Sequence, residues 1–178
     1  MDIKYLAAAI LAAAVSSSAY AEEKMNEISA FVYANKQITP SGQDPMVTIY
    51  ASYGKYIRER IAITGSASIT KAGGTNMGSV GFGGKYYFKV GQRGELVPFV
   101  NAELQLGHGS GTGYTQNFYN LAGGGGASYF ITETASVDGR IVYQIGSAST
   151  TVNVFGGQAT SSQSTSSIML TAGLTQRF

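Results

Sequence analysis

Apolar residues recur at every second position through most of the chain after residue 25, and this period limits the fold more than any other feature of the sequence. In residues 96–106, one face would hold Leu96, Pro98, Val100, Ala102, Leu104 and Leu106, and the other Val97, Phe99, Asn101, Glu103 and Gln105. Successive side chains of a β-strand point to opposite faces, whereas an amphipathic helix needs a period near 3.6 residues. The pattern therefore predicts β-strands with one apolar and one more polar face.

Eight segments follow this rule, and clusters of turn-forming residues separate them. They lie near residues 26–36, 47–53, 61–69, 79–90, 96–106, 118–129, 134–145 and 168–178. The phase of the first segment is open, because either Ile28, Ala30 and Val32 or Phe31 and Tyr33 could form its outer face. The connections alternate in length: those at 56–60, 91–94 and 131–133 are short, and those at 36–45, 71–76, 107–113 and 147–167 are longer and predicted to be loops.

The position of the charged residues distinguishes a membrane barrel from a soluble one. The apolar faces of the last five segments carry no charge, whereas Lys85, Glu103, Asp138 and Arg140 lie on the opposite faces. A soluble barrel fills its interior with large apolar side chains, and a membrane barrel turns its apolar face to the lipid. Because backbone polar groups in lipid must all be paired, such a sheet has to close on itself. We therefore predict an all-β fold, an eight-stranded antiparallel up-and-down transmembrane β-barrel.

The four ionic side chains would lie in the lumen, where an unpaired charge is costly. Asp138 and Arg140 are two residues apart on one strand, and we expect an internal salt bridge between them, with Gly124 and Gly126 of the preceding segment leaving room for the guanidinium. Lys85 and Glu103 lie on neighbouring segments and are expected to join the same salt-bridge cluster. An eight-stranded barrel encloses a space that side chains can fill, so no open pore is expected.

The first twenty-one residues have the features of an export signal. Lys4 precedes an apolar run at residues 5–15, and Ala19-Tyr20-Ala21 supplies a small-x-small cleavage site. The run is too short for a membrane-spanning helix, which needs about 20 apolar residues. The sequence predicts a signal peptide over residues 1–21 and one barrel domain over residues 22–178.

Composition excludes several other classes of function. The chain has 12 Lys and Arg against 10 Asp and Glu, which is not the basic excess that nucleic-acid binding requires. It has no Cys and a single His, so neither a disulfide framework nor a multi-histidine metal site can form, and no cofactor is expected. His108 lies in the glycine-rich stretch 107–113 and is predicted to be an exposed loop residue rather than a catalytic base.

The chain resembles a known family in two stretches besides the signal peptide and the eight segments. One is Gly84-Lys85-Tyr86-Tyr87-Phe88 before a tight turn, and the other is the end of the chain, residues 171–178. Both are similar to the small eight-stranded outer-membrane β-barrels of Gram-negative bacteria, of the OmpA-barrel and OmpX kind. The last strand, with Gly173 and the terminal Phe178, resembles the signal by which the barrel-assembly machinery recognises its clients. Gln176 departs from that pattern, since a hydrophobic residue is usual there.

The resemblance implies a protein of the bacterial outer membrane, in contact with its lipid and lipopolysaccharide. The leading hypothesis is a non-enzymatic barrel with a filled polar lumen, which stabilises the membrane and contacts host or cell-surface ligands through its loops. One alternative is a narrow channel for small or hydrophobic solutes. Another is a lipid-modifying enzyme embedded in the barrel, which would need a base beside a nucleophile.

Overall fold

The alternating segments form eight antiparallel strands. The computed structural model describes residues 26–35, 46–72, 74–154 and 157–178. The strands are β1 (Asn26–Asn35), β2 (Met46–Arg58), β3 (Ile61–Ala72), β4 (Thr75–Tyr87), β5 (Leu96–Gly111), β6 (Tyr114–Phe130), β7 (Ala135–Val154) and β8 (Gly157–Arg177). The predicted signal peptide at 1–21 and the predicted loop at 36–45 lie outside the described residues. In the described ranges, no helix has the length and apolar character needed to cross a membrane.

The strands close into a barrel. Each strand pairs with the next one along the chain, and β8 returns to pair with β1. This seam runs from the pair Glu27–Arg177 to the pair Val32–Ala172. Next to the pair Glu27–Arg177, Phe178 N donates to Asn26 O at 3.0 Å and Asn26 N donates to Phe178 O at 3.1 Å. The predicted eight-stranded up-and-down topology is therefore confirmed.

The exposure of its side chains settles which face of β1 points into the barrel. Glu27 and Ser29 are each 1% exposed and Phe31 is 2% exposed, whereas Val32 is 53% exposed. Phe31 therefore points into the barrel, and the Ile28, Ala30 and Val32 set faces outward.

An apolar belt surrounds the outside of the barrel. Leu104, Ile141 and Leu170, which a soluble barrel would bury, are 51%, 58% and 76% exposed. The belt continues on the neighbouring strands, and its other members include Val80, Phe82, Val100, Leu106, Tyr119, Leu121, Tyr129, Val137, Tyr143, Ile145, Ile168 and Leu174. On β5 (residues 96–106) and β6 (residues 119–129) the belt covers 11 residues, which is the length a tilted strand needs to cross the hydrocarbon. The predicted orientation of the two faces is confirmed.

Three of the predicted long loops are instead extensions of the strands. The stretches 71–76, 107–113 and 147–167 belong to the hairpins β3–β4, β5–β6 and β7–β8, and the prediction of loops there was wrong. The ladder of β7 and β8 continues to the pair Val154–Gly157, about nine residues beyond the belt on each strand. We call this projecting part the β7–β8 hairpin (residues 146–154 and 157–165). The end of the barrel from which it projects is the hairpin end.

Serine and threonine extend the β7–β8 hairpin because their hydroxyls pair across its ladder. Ser149 Oγ and Ser162 Oγ are 2.8 Å apart, and Thr151 Oγ1 and Thr160 Oγ1 are 3.0 Å apart. Cross-strand hydroxyl pairs of this kind stabilise a sheet modestly. In the β5–β6 hairpin, Gly113 has a positive φ of 81°, which allows the strands to reverse within two residues.

At the opposite end, which we call the terminal end, the described chain begins and finishes. Its turns are 59–60, 88–95 and 131–134, so the second is longer than the predicted 91–94 because β4 already ends at Tyr87. Inside this end, six buried apolar side chains form a core that positions the charged residues: Tyr56, Ala62, Tyr87, Val97, Phe99 and Phe130.

Candidate functional site

The inner face of the barrel carries three carboxylates and three cations among the described residues. The four predicted residues Lys85, Glu103, Asp138 and Arg140 all lie on this face. Glu27 of β1 and Arg177 of β8 join them, and we call these six residues the lumen cluster. Five of the six are at most 7% exposed, and Arg140 is half-buried.

Lys85 connects two carboxylates from different walls of the barrel. Its Nζ lies 3.4 Å from Glu27 Oε1 and 3.6 Å from Asp138 Oδ2. The same ammonium lies 4.4 Å from the ring centre of Phe99 and 4.6 Å from that of Tyr87. Ring faces attract cations, and in a dry environment this attraction adds to that of the carboxylates. Lys85 therefore links β4 to β1 and β7 across the lumen.

Glu27 is held by phenols as well as by cations. Tyr56 and Tyr87 donate to its Oε2 at 2.6 and 2.8 Å. Arg177 Nε lies 4.0 Å from the same oxygen, and the Arg177 guanidinium stacks 4.4 Å from the ring centre of Phe130. Gly54 makes room for this carboxylate, because a Cβ there would lie 2.8 Å from Glu27 Cγ.

Asp138 is satisfied by hydroxyls on its own and the next strand. Ser136 donates to Oδ1 at 2.8 Å, and Thr175 donates to Oδ2 at 2.6 Å. With Lys85 at 3.6 Å, this buried carboxylate has both oxygens in contact with donors. Such saturation is what permits a charge to remain in an interior.

Glu103 lies nearer the hairpin end and accepts three neutral hydrogen bonds. Tyr50 donates to Oε2 at 2.5 Å, while Ser66 and Gln105 donate to Oε1 at 2.5 and 2.9 Å. Glu103 was expected to join the salt-bridge cluster, but its partners are hydroxyl and amide donors instead. Gly81 leaves the space that this carboxylate fills, since a Cβ there would lie 2.2 Å from Glu103 Oε1.

Arg140 does not pair with Asp138 as expected. Its Nε donates to Thr171 Oγ1 at 3.0 Å, and its guanidinium lies 3.9 Å from the ring centre of Phe31 and 4.8 Å from that of Tyr50. The oxygens of Asp138 are already occupied by Ser136, Thr175 and Lys85, so the guanidinium of Arg140 turns to other partners. Gly126 lies opposite Arg140 in the register, which agrees with the expected place for a glycine.

Two members of the lumen cluster were missed in the sequence analysis. Glu27 and Arg177 are the outermost inner-facing charges of β1 and β8, at one end of the seam. The signal was present, since Glu27 shares a two-residue period with Ser29, and Arg177 shares one with Thr175. It was weak because the phase of β1 was open.

The remaining predicted residues lie away from this cluster. His108 is exposed, as expected, but it faces outward on β5 rather than in a loop, and its Nδ1 lies 2.7 Å from Asn117 Oδ1. Gly173 of β8 lies beside Phe31, where a Cβ would meet the ring at 2.4 Å. Phe178 lies 6.5 Å from Tyr53 between ring centres. The role of Gly173 and Phe178 in assembly stays a prediction. No group of three or more potential metal ligands occurs in the described parts of the chain.

Three solved structures share this architecture over most of their length. The Neisserial surface protein A matches with a TM-score of 0.55 at 17% identity, covering 86% of this chain and 96% of that one. The outer membrane protein AlkL, solved in lipid bilayers, matches with a TM-score of 0.61 at 10% identity, covering 90% and 93%. The outer membrane protein OprG of Pseudomonas aeruginosa matches with a TM-score of 0.59 at 13% identity, covering 86% and 96%. No protein-family model and no curated protein matches the chain.

The chain has the fold of the small eight-stranded outer-membrane β-barrels. The apolar belt and the closed ladder make lipid the surrounding medium, and together with this fold they place the protein in the bacterial outer membrane. In such barrels the longer projections face the outside of the cell and the shorter turns face the periplasm. By that rule, we expect the terminal end to be periplasmic and the hairpin end to be extracellular.

Proposed function

We propose that the protein is a non-enzymatic barrel that is closed to solutes and presents its hairpins at the cell surface. The observation that supports this most directly is the ion network of Glu27, Lys85 and Asp138, which joins three walls of the lumen beside a packed aromatic core. These side chains would have to separate for an open pore to form. Their separation would leave buried charges unpaired, which is costly.

The extracellular surface has the character of a neutral hydrogen-bonding contact. No charged residue occurs between Ser147 and Ser167. One face of the β7–β8 hairpin is a row of Ser, Thr, Asn and Gln side chains, with Asn153 and Gln158 paired at 3.2 Å near its tip. A surface of this kind favours neutral, hydroxyl-rich partners such as glycans over polyanions.

Planar-bilayer recording tests whether the barrel is closed. We expect purified, heat-modifiable barrel to give no steady conductance at moderate voltage. Steady openings whose size changes in an Arg140→Ala variant would contradict the proposal and support the channel for small solutes. Fluctuating openings that are identical in the two proteins would point to detergent or lipid defects, so an empty-vesicle control accompanies each recording.

A shortened hairpin tests the surface role. Replacing residues 148–163 by Asn-Gly joins the register pair Ser147–Ser164 through a two-residue turn and leaves the belt intact. We expect the full-length protein to bind glycan-coated surfaces, and this binding to be unaffected by high salt. The shortened variant should remain folded but lose the binding. Equal binding by the two proteins would refute a role for the β7–β8 hairpin.

A further inference from the structure

A cleft opens at the periplasmic end of the barrel, beside the turn between β2 and β3. It has a volume of about 360 Å³ and is lined by Arg58, Glu59, Arg60, Ile61 and Tyr86. It lies on the side of the barrel wall and does not belong to the lumen cluster. Ile61 and the ring of Tyr86 form its apolar walls. The other three lining residues, Arg58, Glu59 and Arg60, are charged.

The charged residues at the mouth of the cleft have few partners within the protein. Arg60 Nη1 donates to the backbone oxygen of Phe88 at 3.2 Å, which fixes its guanidinium against the connection between β4 and β5. The side chains of Arg58 and Glu59 make no hydrogen bond or ion pair to any residue in the described ranges. All three side chains are exposed. Two cations and one anion are therefore available to a ligand within one turn.

The cleft lies at the lower edge of the apolar belt. Ile57 and Phe88, which flank it, are 56% and 53% exposed, and the rings of Tyr86 and Phe88 contact each other at 5.3 Å between centres. Aromatic residues of outer-membrane barrels gather where the hydrocarbon meets the headgroups. The apolar walls therefore face acyl chains, and the ionic mouth lies at the depth of the phosphates in the periplasmic leaflet.

We propose that this cleft binds one phospholipid of the periplasmic leaflet whose headgroup carries both a phosphate and a primary amine, as in phosphatidylethanolamine. Arg58 and Arg60 bind the phosphate, because a guanidinium presents a planar pair of donors that matches phosphate oxygens. Glu59 lies between them in the chain and accepts hydrogen bonds from the ammonium group. The first acyl-chain carbons pack on Ile61 and Tyr86. The net charge of the mouth is +1, so a headgroup with one anion and one cation uses all three side chains.

Native mass spectrometry of the intact barrel in detergent micelles tests the proposal. The probes are phosphatidylethanolamine, phosphatidylglycerol and phosphatidylcholine, each added singly and then in competition. We expect one bound phosphatidylethanolamine per barrel, retained in preference to the other two. In an Arg58→Gln/Arg60→Gln variant its affinity should fall by at least about tenfold, because charge-assisted hydrogen bonds are lost. Arg93→Gln, an exposed cation on the same rim outside the cleft, should leave it unchanged.

Three further comparisons keep the proposal open to refutation. Glu59→Gln should remove the preference for phosphatidylethanolamine over phosphatidylglycerol, and an unchanged preference would overturn the role of the ammonium group. Arg58→Gln alone breaks no contact in the described structure, so its loss of lipid cannot be assigned to misfolding. Displacement of the lipid by millimolar inorganic phosphate would show that the phosphate alone is recognised, which contradicts a lipid site. Equal retention by the wild type and the double variant would overturn the site altogether.

Discussion

Lys85 is the residue whose removal most directly tests the structure of the lumen. A Lys85→Met change keeps the length of the side chain but leaves Glu27 and Asp138 without their shared cation, which lies 3.4 and 3.6 Å from them. Both carboxylates are about 1% exposed, so water cannot replace the ammonium. Breaking a buried pair by removing one partner costs about 3–5 kcal/mol of unfolding free energy. We expect a loss in this range.

Lys89→Met is the matched control. Lys89 lies at the terminal end, in the connection between β4 and β5. Lys89 Nζ lies 3.2 Å from Glu95 Oε1, a shorter separation than either contact of Lys85, but the two side chains are 47% and 37% exposed. Exposed pairs of this kind contribute about 0–1 kcal/mol, because water screens them. The two variants therefore separate the effect of burial from the effect of distance.

The assay is urea unfolding of the barrel in lipid vesicles. Samples are run on SDS gels without heating, and the folded fraction is the intensity of the band of the folded barrel, whose mobility differs from that of the heated protein. A third variant, Lys85→Met with Asp138→Asn, should regain part of the lost stability, because Asp138 pairs with no other cation among the described residues, whereas Glu27 keeps Arg177. The reasoning would be refuted if Lys85→Met and Lys89→Met were equally stable. It would also fail if neutralising Asp138 lowered the stability of Lys85→Met further.

Two other predictions use the same assay. A Cβ on Gly126 would lie 2.2 Å from a backbone oxygen of β7 and 2.7 Å from Arg140 Cβ, so Gly126→Ala should destabilise the barrel by about 1–3 kcal/mol. Gly139→Ala is the control and should not destabilise it, because a Cβ there would have nothing within 4 Å. Equal effects of the two changes would argue against the inner packing. Ile141→Arg, in the middle of the belt on β7, should cost about 2–4 kcal/mol, and Ser164→Arg on the β7–β8 hairpin almost nothing; a tolerated Ile141→Arg would contradict the membrane position of the belt.

The two-residue period predicted the architecture because it reports which face each side chain occupies. Leu104 and Glu103, adjacent in sequence, differ from 51% to 5% in exposure, as the alternation requires. The period also predicted that Lys85 and Asp138 would face the same interior. In each case one local property, the direction of a Cβ atom, was sufficient.

The partners within the lumen could not be predicted in the same way. They depend on the position of each residue along the barrel axis as well as on the face of the strand that it occupies. Lys85 and Asp138 are separated by two intervening strands, and their contact depends on how far each strand is staggered against the next. The stagger of a barrel is a property of all its hydrogen-bond registers together. The segment 147–167 failed for a different reason. Its serines resemble loop composition, but the backbone of β7 and β8 pairs through it, and facing hydroxyls such as those of Ser149 and Ser162 support the ladder.

The proposed closure and the proposed surface display are separable because they use different ends of the same strands. On β7, Asp138 lies in the ion network near the periplasmic end, while residues from 146 onwards extend beyond the belt. The β7–β8 hairpin closes only its own ladder and touches none of the charges in the lumen cluster. Hydrogen bonds in that ladder are local, so changes at its tip need not propagate to the seam between β1 and β8. Under the proposed function, the ion network and the seam would keep the barrel closed independently of what the hairpin binds, and a surface partner could change without cost to the fold that carries it.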